Sequence, residues 1–155
     1  MNDEEKLALK TSLKHYCVTL LEERLNTAND LIAAAQESAN NDSKSSAGDK
    51  YETSRAMGHL QKEMYQLQAA RIRQELLIAG STELKLCAGA VKAGAIVLAD
   101  DILVFVSVGL GRKVVAGRTV LFLSEDAPFY KDLYLKNVND TITIAKQLYT
   151  IRDIW

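Results

Sequence analysis

This sequence has few of the residues that mark secreted, membrane-embedded or strongly nucleic-acid-binding proteins. Two of its 155 residues are cysteine and one is proline, and 19 basic residues nearly balance 20 acidic ones. A chain that contacted nucleic-acid phosphates over its whole surface would be visibly basic. No apolar run approaches the length of about 18 residues that indicates a membrane-spanning helix. The composition therefore predicts a folded protein with no membrane partner, and any nucleic-acid contact is expected to be local or to pass through a partner protein.

Cysteine usage and the N-terminus both predict a cytoplasmic location. Cys17 and Cys87 lie far apart and form neither a CxxC motif nor a disulfide framework. Cys17 falls on an apolar helical stripe, where a buried thiol behaves as a small hydrophobic group. We therefore interpret both cysteines as reduced structural thiols. The first ten residues are acidic where a secretory signal would be basic.

The first half of the chain shows two helical patterns. Apolar residues recur every three or four positions from about residue 3 to 39, and again from about residue 49 to 77. The predicted stripes are Leu13, Cys17, Leu20, Arg24, Thr27, Leu31 and Ala34 in the first helix, and Met57, Leu60, Met64 and Leu67 in the second. Each helix would be about 45–50 Å long. Joined by one loop, the helices are predicted to form an antiparallel, coiled-coil-like hairpin over residues 1–78.

The pattern changes near Gly80, after which short β-branched runs alternate with Gly, Asp and Asn. The runs are TELKLCAG, AIVLADDILVFVSVG, KVVAGRTVLFLS, TITIAK and LYTIRDI, and they predict five or six strands within residues 79–155. Pro128 suits the first turn of a short helix, with Phe129, Leu133 and Val138 directed inward. The predicted fold class is therefore α+β, a helical hairpin followed by a small β-rich domain with one short helix.

The segment APFYKDLYLKNVND, residues 127–140, resembles a segment of the Gre-type transcription elongation factors. In that family it has the form SP-(I/L)-(G/A)-(K/R)-A-L-(L/I)-G-K-(K/R)-V-G-D and is followed by two closing strands. The matching residues here are Pro128, Lys131, Leu133, Lys136, Val138 and Asp140, whereas Tyr130, Leu135 and Asn139 stand where the family has glycine. The order of hairpin and β-rich domain also agrees, so the resemblance covers nearly the whole chain and implies an FKBP-like C-terminal domain.

The resemblance implies a function that is exercised through a partner. Gre factors insert a helical hairpin into the secondary channel of bacterial RNA polymerase, and acidic residues at its tip help to hold a second Mg²⁺ for hydrolysis of backtracked RNA. RNA polymerase is thus the expected partner, with indirect contact to nascent RNA or DNA through the complex. The Mg²⁺ would be shared with the polymerase only in that complex, and the chain would not be an enzyme by itself.

The expected metal ligands lie in ESANNDSKSSAGDKYETSRAM, residues 37–57. Asp42 occupies the place of the family's first acid, but Ser45 occupies the place of its key Glu, so Asp49 or Glu52 would have to supply the second carboxylate. Taken without the resemblance, these acids are typical of helix caps and solvated charges, and Asp49 with Glu52 three positions later nearly forms a capping box.

The expected partner-binding residues lie on the predicted short helix and just after it. They form a small basic and aromatic group, Tyr130, Lys131, Tyr134 and Lys136. Such a group is most often a solvated face. In Gre factors the C-terminal domain docks at the channel entrance, which implies a docking role for this group.

Two other functions remain open. Ser45 favours a Gre-like regulator that occupies the channel without promoting cleavage. The other alternative is an FKBP-like prolyl isomerase or peptide-binding protein, which would need an aromatic-lined pocket.

The sequence does not predict a dinucleotide-binding site. The G-x-G in VGLGRK, residues 108–113, lacks the strand-to-helix setting of such a site.

Overall fold

The structure is a computed structural model that describes the backbone of residues 1–42 and 48–155, and the side chains of residues 1–41 and 52–155. Two long helices are followed by a six-stranded sheet with one short helix. The elements are α1 (Asp3–Asp42), α2 (Gly48–Ser81), β1 (Ile96–Ala99), β2 (Ile102–Ser107), β3 (Gly111–Val115), β4 (Arg118–Ser124), α3 (Pro128–Leu133), β5 (Thr141–Ile144) and β6 (Gln147–Ile154). This organisation confirms the predicted α+β class.

The chain divides into two compact units. The sheet unit comprises residues 1–18 and 78–155, and the hairpin unit comprises residues 19–77. The division drawn from the sequence at 78/79 placed all of α1 in the hairpin, whereas the structure groups the first 18 residues with the sheet.

Side-chain contacts explain why the start of α1 belongs to the sheet unit. The Lys6 ammonium forms an ion pair with Asp153 at 2.7 Å. Further along α1, the Tyr16 ring stacks on the Phe122 ring of β4, with the ring centroids 5.4 Å apart. The first 18 residues therefore cover part of the sheet.

The sheet is mixed, with the strand order β3-β4-β2-β1-β6-β5. β2 and β4 are parallel, and the other neighbouring strands are antiparallel. β2 is buried at every position, as expected of a central strand covered on both faces. On one face, Phe105 packs edge-on against Phe122, at 6.1 Å between centroids. A second core cluster includes Val104 and Val106 of β2 and Leu133 of α3.

Two of the predicted runs each fold into a β-hairpin. AIVLADDILVFVSVG forms β1 and β2 around Asp100, and KVVAGRTVLFLS forms β3 and β4 around Ala116 and Gly117. Ala116 and Gly117 have φ values of 50° and 73°. Positive φ at both central residues gives the turn twist that matches two antiparallel strands.

The predicted strand over residues 82–89 is wrong, because no strand lies between Ser81 and Ile96, a stretch that the structure describes throughout. Lysine side chains of α1 bind its backbone instead. Lys14 Nζ donates to the Thr82 carbonyl at 2.9 Å, and Lys10 Nζ donates to the Lys85 carbonyl at 2.7 Å. These carbonyl groups thus have hydrogen-bond partners although no strand pairs with the segment.

The buried stripe of α1 departs from the predicted stripe after Cys17. The buried apolar residues are Leu13, Cys17, Leu21, Ala28 and Ala35. Leu31, a member of the predicted stripe, is 39% exposed. The buried positions from Leu21 onward repeat every seven residues, as in helices that pair along their length.

The large apolar residues of α2 lie on its exposed side, contrary to the role in helix pairing predicted for them. Met57, Leu60, Met64 and Leu67, here called the exposed apolar stripe, are between 60% and 72% exposed. In the hairpin unit, α2 instead buries Ala69 and Ile72.

Contacts within the hairpin unit show that its two helices run antiparallel. Lys62 Nζ donates to the Gln36 side-chain oxygen. The position that a Cβ would take at Gly58 lies 3.8 Å from the Ala39 Cβ. Since residue numbers rise along α1 as they fall along α2, the pairing is antiparallel, and small residues let the helices approach closely.

Candidate functional site

The segment of residues 37–57, which contains the expected metal ligands, spans the end of α1 and the start of α2. α1 ends at Asp42 and α2 begins at Gly48. Of the predicted metal ligands, the Asp42 and Asp49 side chains lie outside the described residues, and Glu52 has an exposed side chain in the second turn of α2. Antiparallel pairing brings the backbones of Asp42 and Glu52 to the same end of the hairpin unit. Within the described residues, no three His, Cys, Asp or Glu side chains form a group that could hold a metal ion.

The segment that resembles the Gre family forms α3 and the turn after it. Leu133 is fully buried and Phe129 is half-buried, which agrees with their predicted inward direction. Val138 is 44% exposed, so its predicted inward direction is wrong. The helix ends where the Tyr134 N–H donates to the Tyr130 carbonyl.

The predicted partner-binding group is split between core and surface. Tyr130 is only 8% exposed and belongs to the apolar core. Burial, followed by the nearby Glu125 carboxylate, raises the pKa of Tyr130. Lys131 and Tyr134 are exposed and Lys136 is half-buried, so these three residues are the ones that a partner can reach.

Two residues after α3 adopt a left-handed backbone conformation. Leu135 has a φ of 63° and Asn139 has a φ of 75°. Asparagine tolerates this conformation, but a bulky residue such as leucine rarely adopts it. Glycine is the residue for which it is unstrained. Leu135 and Asn139 are the two positions after α3 at which the Gre-type segment has glycine.

Backbone hydrogen bonds hold both positions in place. The Leu135 N–H donates to the Val91 carbonyl at 3.0 Å, and the Val91 N–H donates to the Lys136 carbonyl at 2.9 Å. The Asn139 N–H donates to the Ile151 carbonyl at 2.8 Å. These hydrogen bonds attach the turn after α3 to the segment before β1 and to strand β6.

Lys10 is a buried charged residue that the sequence interpretation missed. Its residue exposure is 0%, and its Nζ lies 3.6 Å from Cys87 Sγ. Burial lowers the pKa of Lys10, while the neighbouring Cys87 acts in the opposite direction. Lys10 precedes Leu13 by three residues and Cys17 by seven, so the helical period already placed it on the buried stripe.

A cavity of about 270 Å³ in the sheet unit borders Lys10 and Cys87. Its wall includes Thr82 and Ser107, whose hydroxyl groups are hydrogen-bonded at 3.0 Å. None of the described residues that line it is aromatic. It therefore differs from the aromatic-lined pocket that a prolyl isomerase would need.

No family model, curated protein or solved structure matches this chain. In the part of the chain that the structure describes, neither long helix nor the short one has the length and apolar character needed to cross a membrane.

Proposed function

We propose that this protein is a Gre-like factor that binds RNA polymerase, inserts the end of its hairpin near residues 42–52 into the secondary channel, and promotes cleavage of backtracked RNA. The observation that carries this proposal is the left-handed backbone of Leu135 and Asn139 at positions where the Gre-type segment has glycine. Matching letters in a short segment can arise by chance. A left-handed backbone at both positions is what a segment with glycine there would show, and it therefore supports the resemblance.

The hairpin unit supports the same proposal. Its helical stretches, residues 19–42 and 48–77, are about 35–45 Å long at 1.5 Å per residue. Two paired helices of this length can carry a short acidic segment to a site that a compact domain could not enter. The exposed apolar stripe and the exposed Lys131 and Tyr134 would be surfaces for contact with the polymerase.

The proposed chemistry needs only carboxylates from this chain. Mg²⁺ prefers oxygen ligands and is commonly bound by one or two carboxylates together with substrate phosphates. Asp42, with Asp49 or Glu52, would help to hold the second Mg²⁺ of a two-metal arrangement, in which the metal ions stabilise the attacking and leaving oxygens. The polymerase and its RNA would supply the remaining ligands, so catalysis would belong to the complex.

A cleavage assay on stalled, backtracked polymerase complexes tests the proposal. Wild-type protein should release a short 3′ RNA fragment faster than polymerase alone. Asp42→Ala should reduce that rate by at least about 10- to 100-fold, the loss that follows mutation of a residue that only orients a metal ligand. Of Asp49→Ala and Glu52→Gln, the variant that reduces the cleavage rate identifies the residue that supplies the second carboxylate. Asp30→Ala, which removes an exposed acid elsewhere on α1, is the matched control and should cleave like wild type.

A Gre-like regulator that occupies the channel without cleavage is the second candidate, because Ser45 stands at the place of the family's key Glu. Polymerase binding by wild type without any gain in cleavage would establish this regulator and overturn the cleavage role. Absence of binding to the core polymerase of the source organism would overturn both.

A further inference from the structure

Lys10 and Cys87 place an amine beside a thiol in the wall of the sheet-unit cavity. Lys10 Nζ donates a hydrogen bond to Cys87 Sγ, with the two atoms 3.6 Å apart. We propose that hydrogen peroxide converts this pair into a reversible cross-link, a sulfenamide in which Lys10 Nζ is bonded to Cys87 Sγ. The inference does not rest on the proposed role with RNA polymerase.

The cavity directs the oxidant to Cys87 and not to Cys17. Cys87 lines a space of about 270 Å³, whereas one water molecule occupies about 30 Å³ of liquid, so a peroxide molecule fits beside the sulfur. Cys17 is completely buried and does not line this cavity. Burial raises the pKa of Cys17 to about 12, which keeps it as an unreactive thiol at neutral pH.

The surroundings of Lys10 favour its reaction as a nucleophile. Its Nζ donates to the Lys85 carbonyl at 2.7 Å, which fixes the nitrogen beside the sulfur. Burial disfavours the charged ammonium and so increases the fraction of neutral amine, whose lone pair is free to attack. The flexible four-carbon stem of lysine allows the short approach that bond formation requires.

The reaction has two steps and consumes one peroxide. In the first step, Cys87 Sγ attacks one peroxide oxygen, the O–O bond breaks, and the leaving hydroxide takes the thiol proton as water, which gives a sulfenic acid. In the second step, the Lys10 lone pair attacks Sγ, the S–O bond breaks, and the hydroxide leaves with one amine proton as a second water. Sulfur is oxidised by two electrons and peroxide is reduced. Condensation of a sulfenic acid with a nitrogen nucleophile is known for backbone nitrogen, and a thiol reductant returns sulfur of this oxidation level to the thiol.

The cross-link would join residues separated by 77 positions in the sequence. It would tie the start of α1 to the segment before β1, both of which belong to the sheet unit. A bond that closes so long a loop restricts the unfolded chain. The oxidised protein should therefore melt at a higher temperature than the reduced protein, and the difference should disappear after treatment with dithiothreitol.

Peptide mapping of the full-length protein tests the inference. After treatment with equimolar hydrogen peroxide, mass spectrometry without reduction should find a cross-linked peptide containing Lys10 and Cys87, with two hydrogens fewer than the two peptides together. The free thiols of the denatured protein should fall from two to one, and dithiothreitol should restore the second.

Matched variants of Lys10 and Lys14 test whether the cross-link requires the Lys10 amine. Lys14→Arg should form the cross-link as wild type does, because Lys14 Nζ contacts the Thr82 carbonyl. Lys10→Arg should not form it, because a guanidinium stays protonated, and Lys10→Met provides the same test if arginine prevents folding. Conversion of wild-type Cys87 to a sulfinic acid or an intermolecular disulfide without a Lys10 adduct would overturn the inference. Oxidation of Cys17 before Cys87 would overturn it as well.

Discussion

Leu135 carries a bulky side chain at a φ of 63°, where L-residues other than asparagine and aspartate are uncommon. Burial of its side chain contributes little stabilising free energy to offset this conformation, because the residue is 60% exposed. The pair of backbone hydrogen bonds that flank Val91 holds the conformation. The left-handed region costs an L-residue about 1–2 kcal/mol, so this position stores local strain.

Leu135→Gly should therefore raise the free energy of unfolding by about 1 kcal/mol, because glycine removes the steric penalty and only part of that gain is lost to the greater freedom of the unfolded chain. Urea denaturation followed by circular dichroism measures the change. Asn139→Gly is the matched control and should alter stability by only a few tenths of a kcal/mol, since asparagine already tolerates a positive φ. A loss of stability in Leu135→Gly would contradict the strain assigned to this position.

Two residues illustrate what single-residue interpretation missed. Tyr130 was assigned to a binding surface by its chemistry, although it precedes the buried Leu133 by three residues and so shares its helical face. Lys10 lies on the stripe of Leu13 and Cys17, so the spacing predicts its burial although lysine is rarely buried. In both cases spacing along the helix was a better guide to burial than residue type.

At the scale of elements, the two helices were predictable but the sides on which they pair were not. The predicted ranges, 3–39 and 49–77, lie within α1 and α2. Hydrophobic periodicity follows the largest apolar side chains, which in α2 form the exposed apolar stripe. Close helix pairing instead selects small residues such as Ala39 and Gly58, whose apolar signal in a sequence is weak.

Alanine substitutions on opposite sides of α2 should distinguish the two faces. Ile72 is 7% exposed, so Ile72→Ala should lower the free energy of unfolding by about 2 kcal/mol. Leu67 is 72% exposed, so Leu67→Ala should change it by less than about 0.5 kcal/mol. Urea denaturation of the two variants gives both values, and equal effects would mean that the assignment of the buried face is wrong.

Strands were predictable where turn residues separate them, as in the hairpins around Asp100 and Gly117. The segment 82–89 contains a single β-branched residue, Thr82, and is not a strand. Its backbone partners are side chains of Lys10 and Lys14, which are distant in the sequence. Local propensity cannot report such partners, because they exist only once α1 has packed against the sheet unit.

At the scale of the whole molecule, one continuous helix belongs to two compact units. Residues 1–18 of α1 belong to the sheet unit, and α1 from residue 19 belongs to the hairpin unit. A change of hydrophobic period marks the end of α2, so the boundary near residue 78 was visible in the sequence. No such change marks residue 18, because the same helical period continues through it.

The role of residues 1–18 gives a prediction about fragments of the chain. A fragment of residues 79–155 lacks Leu13 and Cys17, which are completely buried in the intact protein, and the Lys6–Asp153 ion pair. It should expose the ring of Phe122 that Tyr16 covers. We therefore expect this fragment to melt at a much lower temperature than the intact protein, or to lack a cooperative transition, when followed by circular dichroism.

Restoring the missing helix should restore the fold of the sheet unit. A chain in which residues 1–18 are joined to residues 78–155 by a short Gly-Ser turn keeps the Lys14–Thr82 hydrogen bond and the Tyr16–Phe122 stacking. It should unfold cooperatively and resist proteolysis, because the removed hairpin contributes none of these contacts. If residues 79–155 alone melted at the same temperature as this joined chain, the first 18 residues would not be part of the folding unit. Loss of cooperativity in both would mean that the sheet unit needs the hairpin unit to fold.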